Sequence, residues 1–135
     1  MSLGDTMQVS AAGMRAQADR LRVIAENMAN ANATASSEGG EPYRRKIVLF
    51  ENVLNKELGI EQVKVGKRAY DPSPFNLKYE PSHPAANAEG YVQYPNVSTI
   101  VEMMDMREAR RGYEANLNVI EVSKAMLNQT LALLR

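Results

Sequence analysis

His83 is the single histidine of the chain, and there is no cysteine. An imidazole that moves protons or holds a metal needs a carboxylate, a nucleophile or further ligands at matched spacing, and Ser82-His83-Pro84 supplies none. Gly39-Gly40 lacks the downstream Gly-Lys-Ser/Thr of a phosphate loop and reads as linker. Arg44, Arg45 and Lys46 make a basic run suited to phosphate or to an acidic protein surface. On a strand, alternation puts Arg44 and Lys46 on one face and Arg45 on the other, which favours solvated or inter-subunit charges over nucleic acid. Arg107, Glu108, Arg110, Arg111 and Glu114 crowd one stretch, with Arg110 and Glu114 one helical turn apart. They form either a solvated face or pairs between subunits. No carboxylate pair, activated nucleophile or glycine-rich cradle stands out, so catalytic, cofactor and metal residues are expected to be none. Candidate inter-subunit charges are Arg44, Arg45, Arg107, Arg110 and Glu114.

The elements that carry these groups follow from apolar spacing. Met7, Met14, Leu21 and Met28 recur every seven residues near the start, and Met106, Tyr113, Ile120, Leu127 and Leu134 do so near the end. Each row stays on one side of a helix and offers a seam to another helix. Beside the first row lie Ala11, Ala18 and Ala25; between the large residues of the second lie Ala109, Asn116, Ser123 and Thr130. Small rows let a partner backbone approach while Met and Leu fill the flanks. The first helix, capped by Asp5 or Thr6, runs to about residue 32 and is roughly 40 Å long; the last, opened by a Thr99–Glu102 capping box, is roughly 50 Å. The expected subunit interface comprises Met7, Ala11, Met14, Ala18, Leu21, Ala25, Met28, Met106, Tyr113, Leu117, Ile120, Leu127 and Leu131.

Residues 33–42 (ATASSEGGEP) read as a flexible linker. Short strands are expected over 43–50, 62–70 and 75–79, with 52–58 as a possible helical turn; Phe75, Leu77 and Tyr79 alternate with Asn76 and Lys78. The expected fold is mainly α with a small β insertion, the terminal helices pairing as an antiparallel coiled-coil-like hairpin. Residues 1–32 plus 97–135 form the helical part, and 33–96 the linker and β-rich insertion.

Two Phe and no Trp leave little aromatic bulk for a large core, whereas eight Met suit adaptable contact surfaces. Sixteen basic and sixteen acidic side chains cancel, so no net field draws the chain to nucleic acid or to an anionic membrane. Protein partners are expected. Residues 1–9 show no secretory signal, and no apolar run approaches the 18 or so residues of a membrane span.

Residues 10–34, SAAGMRAQADRLRVIAENMANANAT, resemble the N-terminal signature of bacterial flagellar axial proteins. The match lies at Ser10, Gly13, Ala16, Gln17, Arg20, Leu21, Ile24, Ala25, Asn27 and the Ala29–Asn32 stretch, ending at Thr34. Pro95-Asn96-Val97, Glu102-Met103, Met106, Ala109, Tyr113 to Asn116 and Thr130-Leu131 are similar to the C-terminal signature of the same family. The segments 40–46 and 88–92, His83-Pro84 and the short middle resemble the proximal members of the basal-body rod family; hook and distal rod proteins carry a larger middle. The resemblance implies a non-enzymatic rod subunit that transmits torque from motor to hook and filament. It also implies a periplasm-spanning location in the basal body and export through the flagellar type III apparatus without a cleaved signal. The implied partners are copies of itself and other rod proteins in a helical assembly, with no cofactor.

Overall fold

The computed structural model describes residues 1–135. In chain order it has helix α1 (Leu3–Ala29), strands β1 (Lys46–Asn55), β2 (Ile60–Tyr70), β3 (Asn76–Tyr79) and β4 (Tyr91–Tyr94), and helix α2 (Thr99–Leu133). β1 pairs only with β2, and β3 only with β4. Two compact units result. Unit 1 is Met1–Leu21, Leu49–Lys67 and Met106–Arg135; unit 2 is Arg22–Val48 and Arg68–Asp105.

The expected fold class is corrected by these elements. Helix makes up 46% of the chain and strand 21%, in two antiparallel sheets, so the protein is α plus β and not mainly α with a small insertion. Two departures account for the difference. β1 runs on through residues 52–55, where a helical turn was an alternative, because a run rich in Val, Leu and Phe continues the β pattern up to the 56–59 turn. That turn closes through Gly59 N–H to the Asn55 carbonyl at 2.8 Å and Glu57 N–H to Asn55 Oδ1 at 3.0 Å. The fourth strand, 91–94, was not expected because Tyr-Val-Gln-Tyr lacks the apolar–polar alternation that marks 75–79.

A coiled-coil-like hairpin is also absent, for a packing reason. Within unit 1 the buried residues are Ser10, Ala12, Ala16, Ala109 and Ser123; all are small, but only Ala109 and Ser123 come from the expected small rows, while Ala11 is half-buried and Ala18 exposed. The Met and Leu rows lie half-buried or exposed. Side-chain amides take the space that a Cβ would need: a Cβ on Gly13 would sit 2.8 Å from Asn116 Nδ2, and one on Gly112 2.9 Å from Gln17 Nε2. Amides packed on glycines do not make apolar knobs in holes.

The α1 cap is built by Ser2, not by Asp5 or Thr6. Asp5 N–H donates to Ser2 Oγ at 3.1 Å and Ser2 N–H to Asp5 Oδ2 at 2.7 Å, a reciprocal box in which Asp5 holds the third helical position. Its carboxyl is held below the usual range, chiefly by the Ser2 hydrogen bonds. At α2 the Glu102 carboxylate does not turn back to the helix start; it is wholly buried and committed elsewhere in unit 2.

Unit 2 has its apolar core in Val23, Ile24, Val92 and Val97. In the β3–β4 ladder Asn76 opposes Tyr94, Leu77 opposes Gln93, Lys78 opposes Val92 and Tyr79 opposes Tyr91. Burial of Val92 assigns the Lys78–Val92 face inward and leaves Leu77, Tyr79 and Tyr91 outward. Gly90 precedes β4 at φ +87°, where its missing Cβ leaves room for the Tyr79 ring.

Candidate assembly interface

The polar centre of unit 2 is assembled from residues far apart in sequence. Asn27 is completely buried at the end of α1. Its Oδ1 accepts from Tyr43 Oη at 2.7 Å and from Lys46 N–H at 2.9 Å, and its Nδ2 donates to the Lys46 carbonyl at 2.9 Å and to Glu102 Oε2 at 3.3 Å. One amide thus ties α1, the entry to β1 and the first turn of α2. Arg45 completes the cluster: Nε donates to Glu102 Oε1, the terminal nitrogens reach Asp71 Oδ2 at 3.3 Å and Asp105 Oδ2 at 3.2 Å. A buried carboxylate needs this neutralisation. Arg45 N–H donates to Asn96 Oδ1 at 2.8 Å, and Asn96 Nδ2 caps the Asp71 and Ser73 carbonyls, each at 3.1 Å.

Protonation follows these contacts. Two hydrogen bonds from Ser73, with Arg45 beside it, hold the Asp71 carboxyl below the usual range. Lys46 sits 3.1 Å from Glu26, which lowers the Glu26 carboxyl and raises the Lys46 ammonium. Burial pushes the Tyr43 phenol up, and a hydrogen bond to Glu80 does the same for Tyr94.

Of the candidate inter-subunit charges, Arg44 and Arg45 are engaged inside unit 2. Arg44 lies 4.2 Å from the Phe75 ring centroid and donates to the Asp71 and Ser73 carbonyls at 2.8 and 3.1 Å. Arg110 is 3.6 Å from Glu114, both on the surface of α2. Arg107 is exposed and has no partner in the chain. His83 is a turn residue: Nδ1 accepts from Ala85 N–H at 3.0 Å, and Nε2 lies 3.4 Å from Thr34 Oγ1.

Of the candidate interface residues, Met7, Ala11, Met14, Leu21, Met28, Met106, Tyr113 and Ile120 are half-buried, while Ala18, Ala25, Leu117, Leu127 and Leu131 are exposed. Beside them on α2, Val119, Val122, Met126 and Leu133 are exposed too. The last third of that helix has apolar side chains around most of its circumference and nothing in the chain covering them. In unit 1, β1 likewise exposes Leu49, Phe50, Val53 and Leu54, and an open cleft of about 460 Å³ lies between Ala12, Arg15 and Asp19 of α1 and Val53 and the 62–65 segment of the hairpin. No helix is long and apolar enough to cross a membrane.

Sequence reasoning did not single out Asn27, Tyr43, Asp71 or Asn96 as functional, and it assigned Glu102 to a cap. The available signal was Asn27, a polar residue one turn from Val23 and Ile24, which are buried here; Glu102 has no buried apolar neighbour one turn away and carried no such signal.

Known proteins resemble this chain over nearly its whole length, and a family model over its C-terminal third. Residues 88–133 match the family described as flagellar basal body rod FlgEFG protein, C-terminal. The chain is 42% identical over 133 residues to the flagellar basal-body rod protein FlgC of Agrobacterium fabrum, covering 98% of this chain and 96% of that one. It is 40% identical to FlgC of Bacillus subtilis, with 97% of each covered, and 37% identical to FlgC of Salmonella typhimurium, with 98% of each covered.

Proposed function

Because the chain belongs to the flagellar basal-body rod proteins of the FlgC type, a structural component of the rod, we propose that it is a non-enzymatic subunit of the proximal rod that transmits torque from motor to hook and filament. Its partners are copies of itself and other rod proteins in a helical assembly; it meets the flagellar type III export apparatus in transit, without a cleaved signal. Neither nucleic acid nor a membrane span enters this reading. Segments 1–32 and 97–135 supply the rod core, and 33–96 the insertion between them.

One observation carries the proposal: the uncovered apolar girdle of α2, from Leu117 through Leu127 and Leu131 to Leu134. Contiguous exposed apolar patches mark interaction sites, and full coverage contributes about 1.5–3 kcal/mol per large side chain. Many such contacts in parallel spread a torque so that no single one bears the load. Contacts made by different faces of successive copies do not close on themselves, and open helical growth follows.

The test is Leu117→Asp or Leu131→Asp, each placing a charge in the girdle where assembly would bury it. Both residues are exposed in the subunit, so folding and secretion should persist while swimming is lost. Normal swimming by either variant, with the protein present in the basal body, contradicts the interface.

A further inference from the structure

Unit 2 holds an open cleft of about 430 Å³ between the Gly39-Gly40-Glu41 segment and the outward face of β3–β4, where Leu77, Tyr91 and Gln93 line it. Tyr79, opposite Tyr91 in the ladder, extends the same face; it is 65% exposed, and the two rings meet edge to face at 5.4 Å. Exposed tyrosines at the side of a concavity are typical anchors of protein contacts. The surroundings are acidic. No Lys or Arg occurs in residues 27–43 or 79–106. Glu102 and Asp105 are neutralised by Arg45, and Glu80 accepts from Tyr94. Glu38, Glu41 and Glu89 are left exposed with no cation, and Lys78 is on the other sheet face, over the Tyr94 ring.

The complementary surface is on α2 in unit 1. Arg107 and Arg111 are one turn apart, exposed, and unpaired, unlike Arg110 with Glu114 and Arg20 with Glu108. At 100° per residue, Ala115, Val122 and Met126 continue the same stripe. Guanidinium planes stack on tyrosine faces and bind carboxylates through two parallel hydrogen bonds.

We propose that Arg107 and Arg111 of one copy dock in the Tyr79–Tyr91 cleft of a second copy, with Glu41 and Glu89 as their carboxylate partners. The inference rests on the rod-subunit reading and names one of its contacts. Both halves of the complementarity are present on this chain, which selects a second copy as the occupant. Since the two surfaces differ, the contact is heterologous and each copy offers one half to the next.

The test is self-association of the purified chain, followed by sedimentation at low and high salt. Arg107→Glu with Arg111→Glu, and separately Glu41→Lys with Glu89→Lys, should each weaken association tenfold or more, and all four changes in one chain should restore it. Because the chain has no cysteine, Glu41→Cys mixed with Arg107→Cys should also yield a disulfide-linked heterodimer. An unaltered chain that stays monomeric up to its solubility limit, reversals without effect, or a four-fold variant that stays as weak as its parents would each overturn the proposal. If reversals have no effect while the chain still enters rods, the cleft contact fails and the rod reading stands. Absence of the unaltered chain from rods overturns both.

Discussion

Arg45→Met isolates what the polar centre of unit 2 contributes. The substitution keeps most of the aliphatic stem and removes the cation. Glu102, with no exposed surface, then retains only the Asn27 amide at 3.3 Å. Asp71 and Asp105 lose less, because their side chains keep 17% and 31% of their exposure and rehydrate. Breaking a buried pair on one side costs about 3–5 kcal/mol, since the remaining charge stays desolvated. Set against a total of about 5–15 kcal/mol for a small domain, this is a large fraction. At a urea dependence of about 2 kcal/mol per molar the unfolding midpoint should fall by roughly 2 M. Far-UV circular dichroism and tyrosine fluorescence supply the signal. Adding Glu102→Gln to Arg45→Met removes the orphaned charge and should recover a good part of the loss. A midpoint for Arg45→Met within 0.5 M or so of the parent, or a double variant no more stable than the single one, refutes the assignment of Glu102 as a charge held by Arg45.

Acid should loosen unit 2 in a defined direction. The folded-state pKa of Asp71 is lowered by Ser73 and Arg45, so its contribution is fully present above the unfolded-state pKa and lost as pH falls through the folded-state one. Ser73→Ala removes the largest single cause, the hydroxyl's hydrogen bond, while keeping the one from the backbone N–H, and should move the acid transition measured by circular dichroism to higher pH; an unmoved transition contradicts the linkage. Gly90→Ala meets both a positive φ and the Tyr79 ring at 2.8 Å and should cost about 1–3 kcal/mol in thermal melts. Gly59→Ala, at φ +65° with open space around it, should cost less, about 1 kcal/mol. Equal losses at the two positions would show that crowding by Tyr79 contributes nothing.

How much was legible in the sequence differs between elements. The two helices were, because amphipathic spacing is a local property: residue 32 as the expected end of the first is three residues beyond Ala29, and 99 is the observed start of the second. The signature residues in both terminal segments were legible too, and with them the rod family. The 91–94 strand was not, since Tyr-Val-Gln-Tyr has no alternation of its own and only pairing with Asn76–Tyr79 defines it. Nor was the reach of β1, where apolar residues on both faces suit a helix and a strand equally.

By itself the sequence determined where the helices lie, that their Met and Leu rows are offered to other helices, and to which family the chain belongs. Tertiary structure decided which rows turn inward. Heptad spacing marks the Met and Leu rows as adhesive without saying what covers them; Gly13 and Gly112 leave room for the Asn116 and Gln17 amides, and Ala109 and Ser123 are buried beside them because their side chains are short. It also decided the meaning of Arg45, Asn27 and Glu102. A charge or an amide in sequence has no environment, and only burial of all three in one place makes the cation necessary to the carboxylate.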